Sequence, residues 1–204
     1  MSNKIDFGFT QAHVPPGTHI CQIYDDKDER NEALLQFLLK GIELKERSAC
    51  FTEEISEEKI DQYFAKHGIS YIDQKEQDGV QYFNVQDVYF QESRFDPDRM
   101  LNSLVQFYKT AVHKGFSGAR VIGEMAPEIG HISGGERLME YEFRVNMLLQ
   151  EHPITTVCQY HANEFDGRLI MDVLKVHPMM VVRGAVIHNP FYVSPEEILA
   201  KHNL

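Results

Sequence analysis

Short apolar runs alternate along the chain with longer segments in which apolar residues recur at helical spacing. Residues 19–24 (HICQIY) form the first run, and residues 26–44 follow with a stripe of leucines on one side. A run of this kind predicts a buried strand, and the stripe predicts an amphipathic helix. The same pair of patterns then repeats. The predicted strands are residues 19–24, 48–52, 81–85, 119–124 and 154–160, and the predicted helices are residues 26–44, 56–67, 96–115, 136–150 and 166–176.

Strands that alternate with helices are typical of βαβ units. We therefore predict an α/β fold with three layers, in which a mostly parallel sheet is flanked by helices. Residues 179–193 are β-rich but are interrupted by Gly184 and Pro190, which indicates two strands in a hairpin at the sheet edge. Residues 1–17 are interpreted as a polar lead and residues 18–204 as one domain. A chain of 204 residues, 43% of them hydrophobic, suffices for one core.

Charge and composition exclude several classes of function. The formal net charge is −11, and no basic stripe is present to neutralise phosphates, so direct nucleic-acid binding is not expected. The N-terminal segment lacks the pattern of a signal peptide, and no apolar run approaches the roughly 20 residues that span a bilayer. We expect a cytoplasmic protein with no membrane contact. The three cysteines lie in predicted strands, which argues against a disulfide framework.

The connection after the first strand is acidic and contains no glycine. Asp25, Asp26, Asp28 and Glu29 crowd the strand exit and the first helical turn. A phosphate-binding loop needs glycines, so that backbone N–H groups converge on the anion, and usually a lysine. Carboxylates suit a helix N-terminus but repel a triphosphate. The pattern predicts an α/β fold that does not bind a nucleoside triphosphate at this position.

Open parallel sheets bind ligands outside the carboxyl ends of their strands. This rule selects residues that end the predicted strands, and Tyr141 joins them from a helix that follows the glycine-rich connection 125–135. The candidate ligand-binding residues are Tyr24, Asp25, Glu124, Met125, Tyr141, Cys158, Tyr160 and His161.

Two of these candidates have competing interpretations. Glu124 either takes the place of a Walker-B carboxylate, which holds magnesium or orients water, or pairs with an arginine. Cys158 and His161 have a C-x-x-H spacing, but residues three apart on a strand point to opposite faces, and no third or fourth ligand is evident nearby. A buried structural thiol is therefore favoured. We predict no catalytic residue, no metal and no cofactor, and we interpret His19 and His177 as structural histidines.

Several segments, in a fixed order, together resemble a known family. They are His19-Ile20-Cys21, Tyr24-Asp25, Gly123-Glu124-Met125, Glu140-Tyr141-Glu142 with Asn146, Val157-Cys158-Gln159-Tyr160, Asp172-Val173-Leu174, His177-Pro178, Asn189-Pro190-Phe191-Tyr192-Val193 and Pro195-Glu196-Glu197. The set resembles the MEDS domain, a sensory domain named for methanogens, methylotrophs and a dichloromethane-dehalogenase repressor. The resemblance covers about residues 17–200, and His161 departs from it where an acidic residue is expected.

This resemblance implies a RecA/KaiC-like core without a phosphate loop and a role in sensing small molecules derived from hydrocarbons. Family members are often fused to a DNA-binding domain or a histidine kinase. Because these 204 residues contain no such segment, we expect a stand-alone module. Its expected partners are a small-molecule ligand and, in trans, a histidine kinase or a transcription factor. Two alternatives stay open, a divergent KaiC-like ATPase and an interaction scaffold that forms a homo-oligomer.

Overall fold

A seven-stranded sheet with helices on both faces organises the computed structural model, which describes residues 5–195 and 197. The strands are β1 (Ile5–Asp6), β2 (His13–Val14), β3 (His19–Tyr24), β4 (Arg47–Phe51), β5 (Val80–Phe83), β6 (Ala119–Glu124), β7 (Ile154–His161), β8 (Met179–Val182) and β9 (Ala185–His188). The α-helices are α1 (Lys27–Glu43), α2 (Glu57–Lys66), α3 (Tyr71–Glu76), α4 (Val85–Tyr89), α5 (Pro97–His113), α6 (Leu138–Glu151) and α7 (Gly167–Val176).

The order of strands in the main sheet is β5-β4-β6-β7-β3-β8-β9, and every pair is parallel except β8 with β9. Strand β3 pairs with β7 along its whole length, from His19 opposite Thr156 to Tyr24 opposite His161. The carboxyl ends of β3, β4, β5, β6 and β7 therefore lie at the same edge. The predictions of a mostly parallel sheet and of a C-terminal hairpin at its edge are confirmed.

Alternating side chains divide the interior into two apolar clusters. Ile20, Ile122 and Val157 face one side, where α1 and α2 pack. Cys21 and Tyr160 face the other side, where α5, α6 and α7 pack. A strand projects successive side chains to opposite faces, so a continuous apolar run can serve both layers. The predicted three-layer arrangement is confirmed.

Four of the predicted helices begin where expected, each behind a side chain that caps it. Asp26, Ser56, Asp96 and Asp166 each accept hydrogen bonds from the first backbone N–H groups of their helix. The expected start of a helix at residue 136 is wrong, because α6 begins at Leu138 after two 3₁₀ turns and has no side-chain cap.

Two further stretches differ from the sequence interpretation. Residues 69–90 contain two short helices, α3 and α4, around β5, where the pattern predicts one strand and irregular chain. The N-terminal segment is more ordered than a polar lead: β1 and β2 pair, and Phe7 is fully buried and stacks on Phe37 with ring centroids 6.0 Å apart. Among the described residues, none of the helices combines the length and the apolar character needed to cross a bilayer.

Candidate functional site

The connection from β3 to α1 consists of two residues, Asp25 and Asp26. Asp25 is exposed. Asp26 turns its carboxylate back onto the helix, where Oδ1 accepts hydrogen bonds from the backbone N–H groups of Asp28 (2.8 Å) and Glu29 (3.1 Å). The amides that would bind an anion at this helix start are therefore bonded to a carboxylate of the chain itself.

Glu124, at the end of β6, lies against a buried arginine. The Arg30 side chain projects from α1 and is fully buried, and its guanidinium donates to the Glu124 carboxylate and to Thr52 Oγ1, the latter at 3.0 Å. Thr52 Oγ1 in turn donates to Glu124 at 2.8 Å, and the backbone N–H of Glu53 donates at 3.3 Å. Of the two sequence interpretations of Glu124, the structure shows the pairing with an arginine.

Tyr24 and His161 end neighbouring strands and contact each other. Their rings meet edge to face with centroids 5.1 Å apart, and the Arg30 guanidinium lies 6.0 Å from the Tyr24 ring centroid. Burial raises the pKa of Tyr24 to about 12. Met125 is buried in the apolar cluster on the other face of the sheet, and its backbone N–H donates to the carbonyl of Gln159 at 2.8 Å.

Tyr141 and Tyr160 lie deeper, on the opposite face of the sheet. Tyr141 contacts Phe95 edge to face with centroids 5.6 Å apart, and the fully buried Tyr160 donates its hydroxyl to Glu142. Burial, followed by the Glu142 carboxylate, raises the pKa of Tyr160 well above its ordinary value. The sequence candidates thus lie on both faces of the sheet, and Met125, Tyr141, Cys158 and Tyr160 share the layer under α5, α6 and α7.

Cys158 belongs to a buried polar cluster that the sequence did not reveal. Four residues each bring one atom that could bind a metal, and these atoms all lie within 4.8 Å of one another: His19, Glu142, Cys158 and His177. The expectation that Cys158 has no third or fourth ligand nearby is therefore wrong. His19 and Cys158 come from β3 and β7, Glu142 from α6, and His177 follows α7 directly. Two signals were available: Glu142 falls within the apolar stripe of α6, four residues after Leu138, and all four residues belong to the segments that resemble the MEDS family.

Burial sets the protonation preferences in this cluster. Burial, and then the neighbouring His19, lowers the pKa of His177 to about 3, which keeps its imidazole neutral. Burial and the nearby Glu142 raise the pKa of the Cys158 thiol well above its ordinary value. Burial alone would raise the pKa of Glu142, but the hydrogen bonds from His19 and Tyr160 and the electrostatic interaction with the two imidazoles outweigh burial, so the pKa is lowered.

A cleft of about 960 Å³ opens between α5, α4 and the β4–β5 edge of the sheet. Its apolar walls include Phe51 and Phe83, the last residues of β4 and β5, together with Val88, Leu104 and Phe107. None of the eight sequence candidates lines it. Sequence reasoning missed these residues because an apolar residue in a cleft and one in the core have the same spacing along a strand or helix.

Comparison with known families decides the identity of the domain. A family profile described as "MEDS: MEthanogen/methylotroph, DcmR Sensory domain" matches residues 18–178. The chain belongs to the MEDS family. The resemblance noted from short segments of the sequence is thereby confirmed, and a sensory, regulatory role follows for this MEDS domain.

One relative carries the regulatory description in its name. The transcriptional repressor DcmR of Methylorubrum extorquens (strain DSM 6343 / CIP 106787 / DM4) is 25% identical over 160 residues, which are 78% of this chain and 57% of that protein. The chain therefore spans a little over half the length of that relative.

Solved structures with similar folds come from archaea. The KaiC-like protein PH0186 from Pyrococcus horikoshii OT3 has a TM-score of 0.63 at 14% identity, covering 88% of this chain and 80% of that one. The flagellar accessory protein FlaH from Methanocaldococcus jannaschii also has a TM-score of 0.63, at 9% identity, covering 91% of this chain and 84% of that one. These similarities establish the RecA/KaiC-like α/β fold of this MEDS domain.

Proposed function

We propose that this MEDS domain is a cytoplasmic sensory module that binds a small, largely apolar ligand in the cleft between α5 and the β4–β5 edge. Occupancy of the cleft is relayed to a regulatory partner, a transcription factor or a histidine kinase in trans. The observation that carries the proposal is the cleft itself, on a chain that belongs to a sensory family. Its volume of about 960 Å³ falls within the range of small-molecule sites, about 300–1,000 Å³.

The chemistry of the cleft favours an apolar ligand. Six apolar side chains line it together with eleven polar or charged ones, and four of the five charged side chains already have partners within the protein. The pairs are Arg47 with Asp78, Arg99 with the carbonyls of Val88 and Tyr89, Asp96 with Arg94, and Asp98 with Arg144. A charged ligand would have to compete with these contacts, whereas an apolar ligand gains from removing surface from water.

A route for the relay leads through Arg99. Its guanidinium donates to the carbonyls of Val88 and Tyr89, at 3.3 Å and 3.2 Å. It also donates to the carbonyls of Gln91 and Arg94, both at 3.5 Å, and so connects the cleft wall to the exposed turn of residues 91–94. Within that turn Glu92 and Ser93 both have φ of 56°, a backbone conformation that non-glycine residues adopt at some cost. A ligand that moves Val88 shifts the balance between conformations of this turn, where a regulator can detect the change.

The local geometry disfavours the nucleotide alternative. The two-residue acidic connection after β3 is too short for a glycine-rich phosphate loop, and Asp26 occupies the amides at the start of α1. The Glu124 carboxylate is engaged by Arg30 and Thr52. We propose that Mg–ATP does not bind here at millimolar concentrations. Isothermal titration calorimetry on the full chain checks this. Binding of Mg–ATP that disappears in Glu124→Gln would instead support an ATPase.

A thermal-shift screen followed by calorimetry tests the ligand site. The panel consists of short halogenated and methylated hydrocarbons. A ligand at about 100 times its Kd stabilises by about 2.7 kcal/mol, which raises the Tm of a domain of this size by roughly 5–10 °C. Ser103→Trp, at an exposed position of α5 that lines the cleft, should abolish the shift by filling the site.

Lys109→Trp is the matched control, since Lys109 is exposed on the same helix outside the residues that line the cleft. It should retain the ligand response of the wild-type chain. No stabilisation by any member of the panel, or a response equal in the wild-type chain and Ser103→Trp, would contradict the assignment to this cleft.

A further inference from the structure

A polar cluster lies within the apolar layer between the sheet and helices α6 and α7. His19 has 1% of its side chain exposed, and the side chains of Glu142 and His177 are fully buried. Polar groups are costly to bury unless they are paired or bind a metal ion. The His177 Nε2 atom has no hydrogen-bond partner among the described residues, so internal pairing leaves this cluster incomplete.

Four of the six distances between the donor atoms are close to those of one coordination sphere. His19 Nε2 lies 3.2 Å from Glu142 Oε2 and 3.4 Å from Cys158 Sγ. Glu142 Oε2 lies 3.6 Å from His177 Nε2 and 3.7 Å from Cys158 Sγ. Zinc bonds of about 2.0–2.3 Å in a tetrahedron place neighbouring ligand atoms about 3.3–3.6 Å apart. All four donor atoms lie within 4.8 Å of one another, so a metal ion at the centre requires the longer of these distances to shorten.

Hydrogen bonds behind the cluster orient both imidazoles for coordination. His177 Nδ1 donates to the carbonyl of Val173 at 2.8 Å, which leaves Nε2 as the unprotonated nitrogen facing the cluster. His19 Nδ1 donates to Asn146 Oδ1 at 3.3 Å, and Asn146 is held in that orientation because its Nδ2 donates to the carbonyl of Val176. Metal-binding histidines are typically held by such a bond from their other nitrogen.

Glu142 is oriented in the same way. The Tyr160 hydroxyl donates to Oε1, so Oε2 is the oxygen that faces His19, His177 and Cys158. A Cys158 thiolate and the Glu142 carboxylate together carry two negative charges, which balance a divalent ion in a buried position.

We propose that His19, Glu142, Cys158 and His177 form a tetrahedral site for one zinc ion. Two imidazoles with a thiolate favour zinc over calcium or magnesium, which prefer oxygen ligands. Four protein ligands leave no open position, as in structural rather than catalytic zinc sites. The ion would join β3, β7, α6 and the end of α7 into one unit. The site is separate from the ligand cleft, so the two proposals succeed or fail independently.

Refolding the full chain in the presence of metal tests the site. Because the cluster is buried, the ion enters most readily as the chain folds. The protein is unfolded with guanidinium, reductant and a chelator, the chelator is removed, and the chain is refolded with Zn²⁺ or Co²⁺. We expect one equivalent of metal after gel filtration. The cobalt form should show near-ultraviolet thiolate-to-cobalt absorption and the strong visible bands of a tetrahedral ion.

Matched variants locate the ion. Cys158→Ala and His177→Ala should each weaken binding at least tenfold, whereas Cys50→Ala and His161→Ala should still bind one equivalent. Cys50 is a buried cysteine on the other face of the sheet, and His161 lies outside the cluster. If the ligand variants fail to fold, the cobalt spectrum of the wild-type chain decides alone. A refolded wild-type chain without metal, a cobalt spectrum without the thiolate band, or an equivalent retained by both ligand variants would overturn the proposal.

Discussion

At the scale of single residues, the layer under α1 depends on two fully buried arginine side chains, Arg30 and Arg120. Arg30 pairs with Glu124, and Arg120 pairs with Glu46 and donates to the carbonyl of Phe37 at 3.0 Å. The desolvation of both charges of a buried pair offsets most of the attraction between them. Removing one partner, however, leaves an uncompensated charge in the interior. Neither member of such a pair can therefore be replaced alone without a loss of stability.

Removal of one carboxylate shows the size of this constraint. Glu124→Gln should lower the free energy of unfolding by about 3 kcal/mol, because Arg30 keeps its buried charge without a counter-charge. Urea denaturation followed by circular dichroism measures the change. The double variant Arg30→Met with Glu124→Met should recover much of the loss.

An exposed pair provides the control for that experiment. Asp98 is 58% exposed and pairs with Arg144, so Asp98→Asn should change the denaturation midpoint little. A Glu124→Gln midpoint equal to that of Asp98→Asn would mean that Arg30 does not depend on the Glu124 carboxylate.

Asp78 should make stability depend on pH in the acid range. Burial alone would raise the pKa of Asp78, but hydrogen bonds from Arg47 and Lys114 outweigh burial and lower it below its ordinary value. A carboxyl group with a lowered pKa in the folded state stabilises fully above the unfolded value, near 3.8, and loses that contribution as pH falls through the folded value.

Asp78→Asn tests this dependence without straining the backbone, because asparagine tolerates the φ of 62° at this position. The variant should be less stable than the wild-type chain at pH 7. The difference in unfolding free energy should stay constant down to about pH 5 and narrow between pH 4 and pH 3. Urea titrations at these pH values measure it, and a difference that does not change with pH would contradict the assignment.

At the scale of elements, the connection from β6 to α6 is shaped by contacts that require glycine. Gly134 has φ of +85°. A Cβ atom added to Gly135 would lie 1.6 Å from the carbonyl oxygen of Ile129. The two 3₁₀ turns of this connection pack so closely that backbone, rather than side chains, fills the space.

Two alanine substitutions in this connection should differ sharply. Gly135→Ala should lower the free energy of unfolding by at least about 2 kcal/mol, because a backbone carbonyl cannot move aside as a side-chain end can. Gly130→Ala is the control, since an added Cβ meets nothing within 4 Å there, and it should be neutral or slightly stabilising. Equal denaturation midpoints for the two variants would contradict the close packing of this connection.

At the scale of the whole molecule, elements outside the family match complete the sheet. Residues 18–178 match the family profile. Strand β8 follows the matched residues, pairs with β3 and buries Met179 and Val181. Asn189 then donates to the carbonyls of Leu174 and His177, at 2.6 Å and 2.7 Å, and so closes the end of α7. Without these residues β3 still pairs with β7 but becomes the edge strand of the sheet, with unpaired backbone groups on one side and an apolar face.

The segment 1–178, which keeps β1 and β2 but lacks β8 and β9, should therefore be much less stable than the 204-residue chain. We expect it to aggregate or to unfold at a lower urea concentration, which size-exclusion chromatography and urea denaturation under identical conditions would show. A monodisperse segment with the midpoint of the full chain would mean that β8 and β9 contribute little to the fold.

The sequence was sufficient for the elements whose signals are local. The strand runs, the leucine stripe of α1 and the caps Asp26, Asp96 and Asp166 depend on residues within a few positions of one another, and the structure confirms them. The short helices α3 and α4 were missed because each has fewer than two full turns of periodic residues. The start of α6 was misplaced because Ser133 and Glu136 mimic a capping box.

The eight residues proposed from strand ends illustrate the limit of such reasoning. The rule for parallel sheets selected Glu124 because it ends a predicted strand, and Glu124 does end β6, yet the rule did not reveal Arg30, with which its carboxylate pairs. It also could not distinguish Phe51 and Phe83, which line the cleft, from ordinary core residues.

Local patterns in the chain were enough to specify an α/β sheet and its acidic, glycine-free first connection, because each depends on residues that are neighbours in sequence. The order of short segments along the whole chain indicated the sensory family. The cleft and the cluster of His19, Glu142, Cys158 and His177 emerged only from the packed structure. Residues as far apart as 19 and 177 meet because parallel pairing places β3 beside β7 and because α6 and α7 then cover that face. The register of strands and the packing of helices on them are global properties, and no spacing within a single segment encodes them.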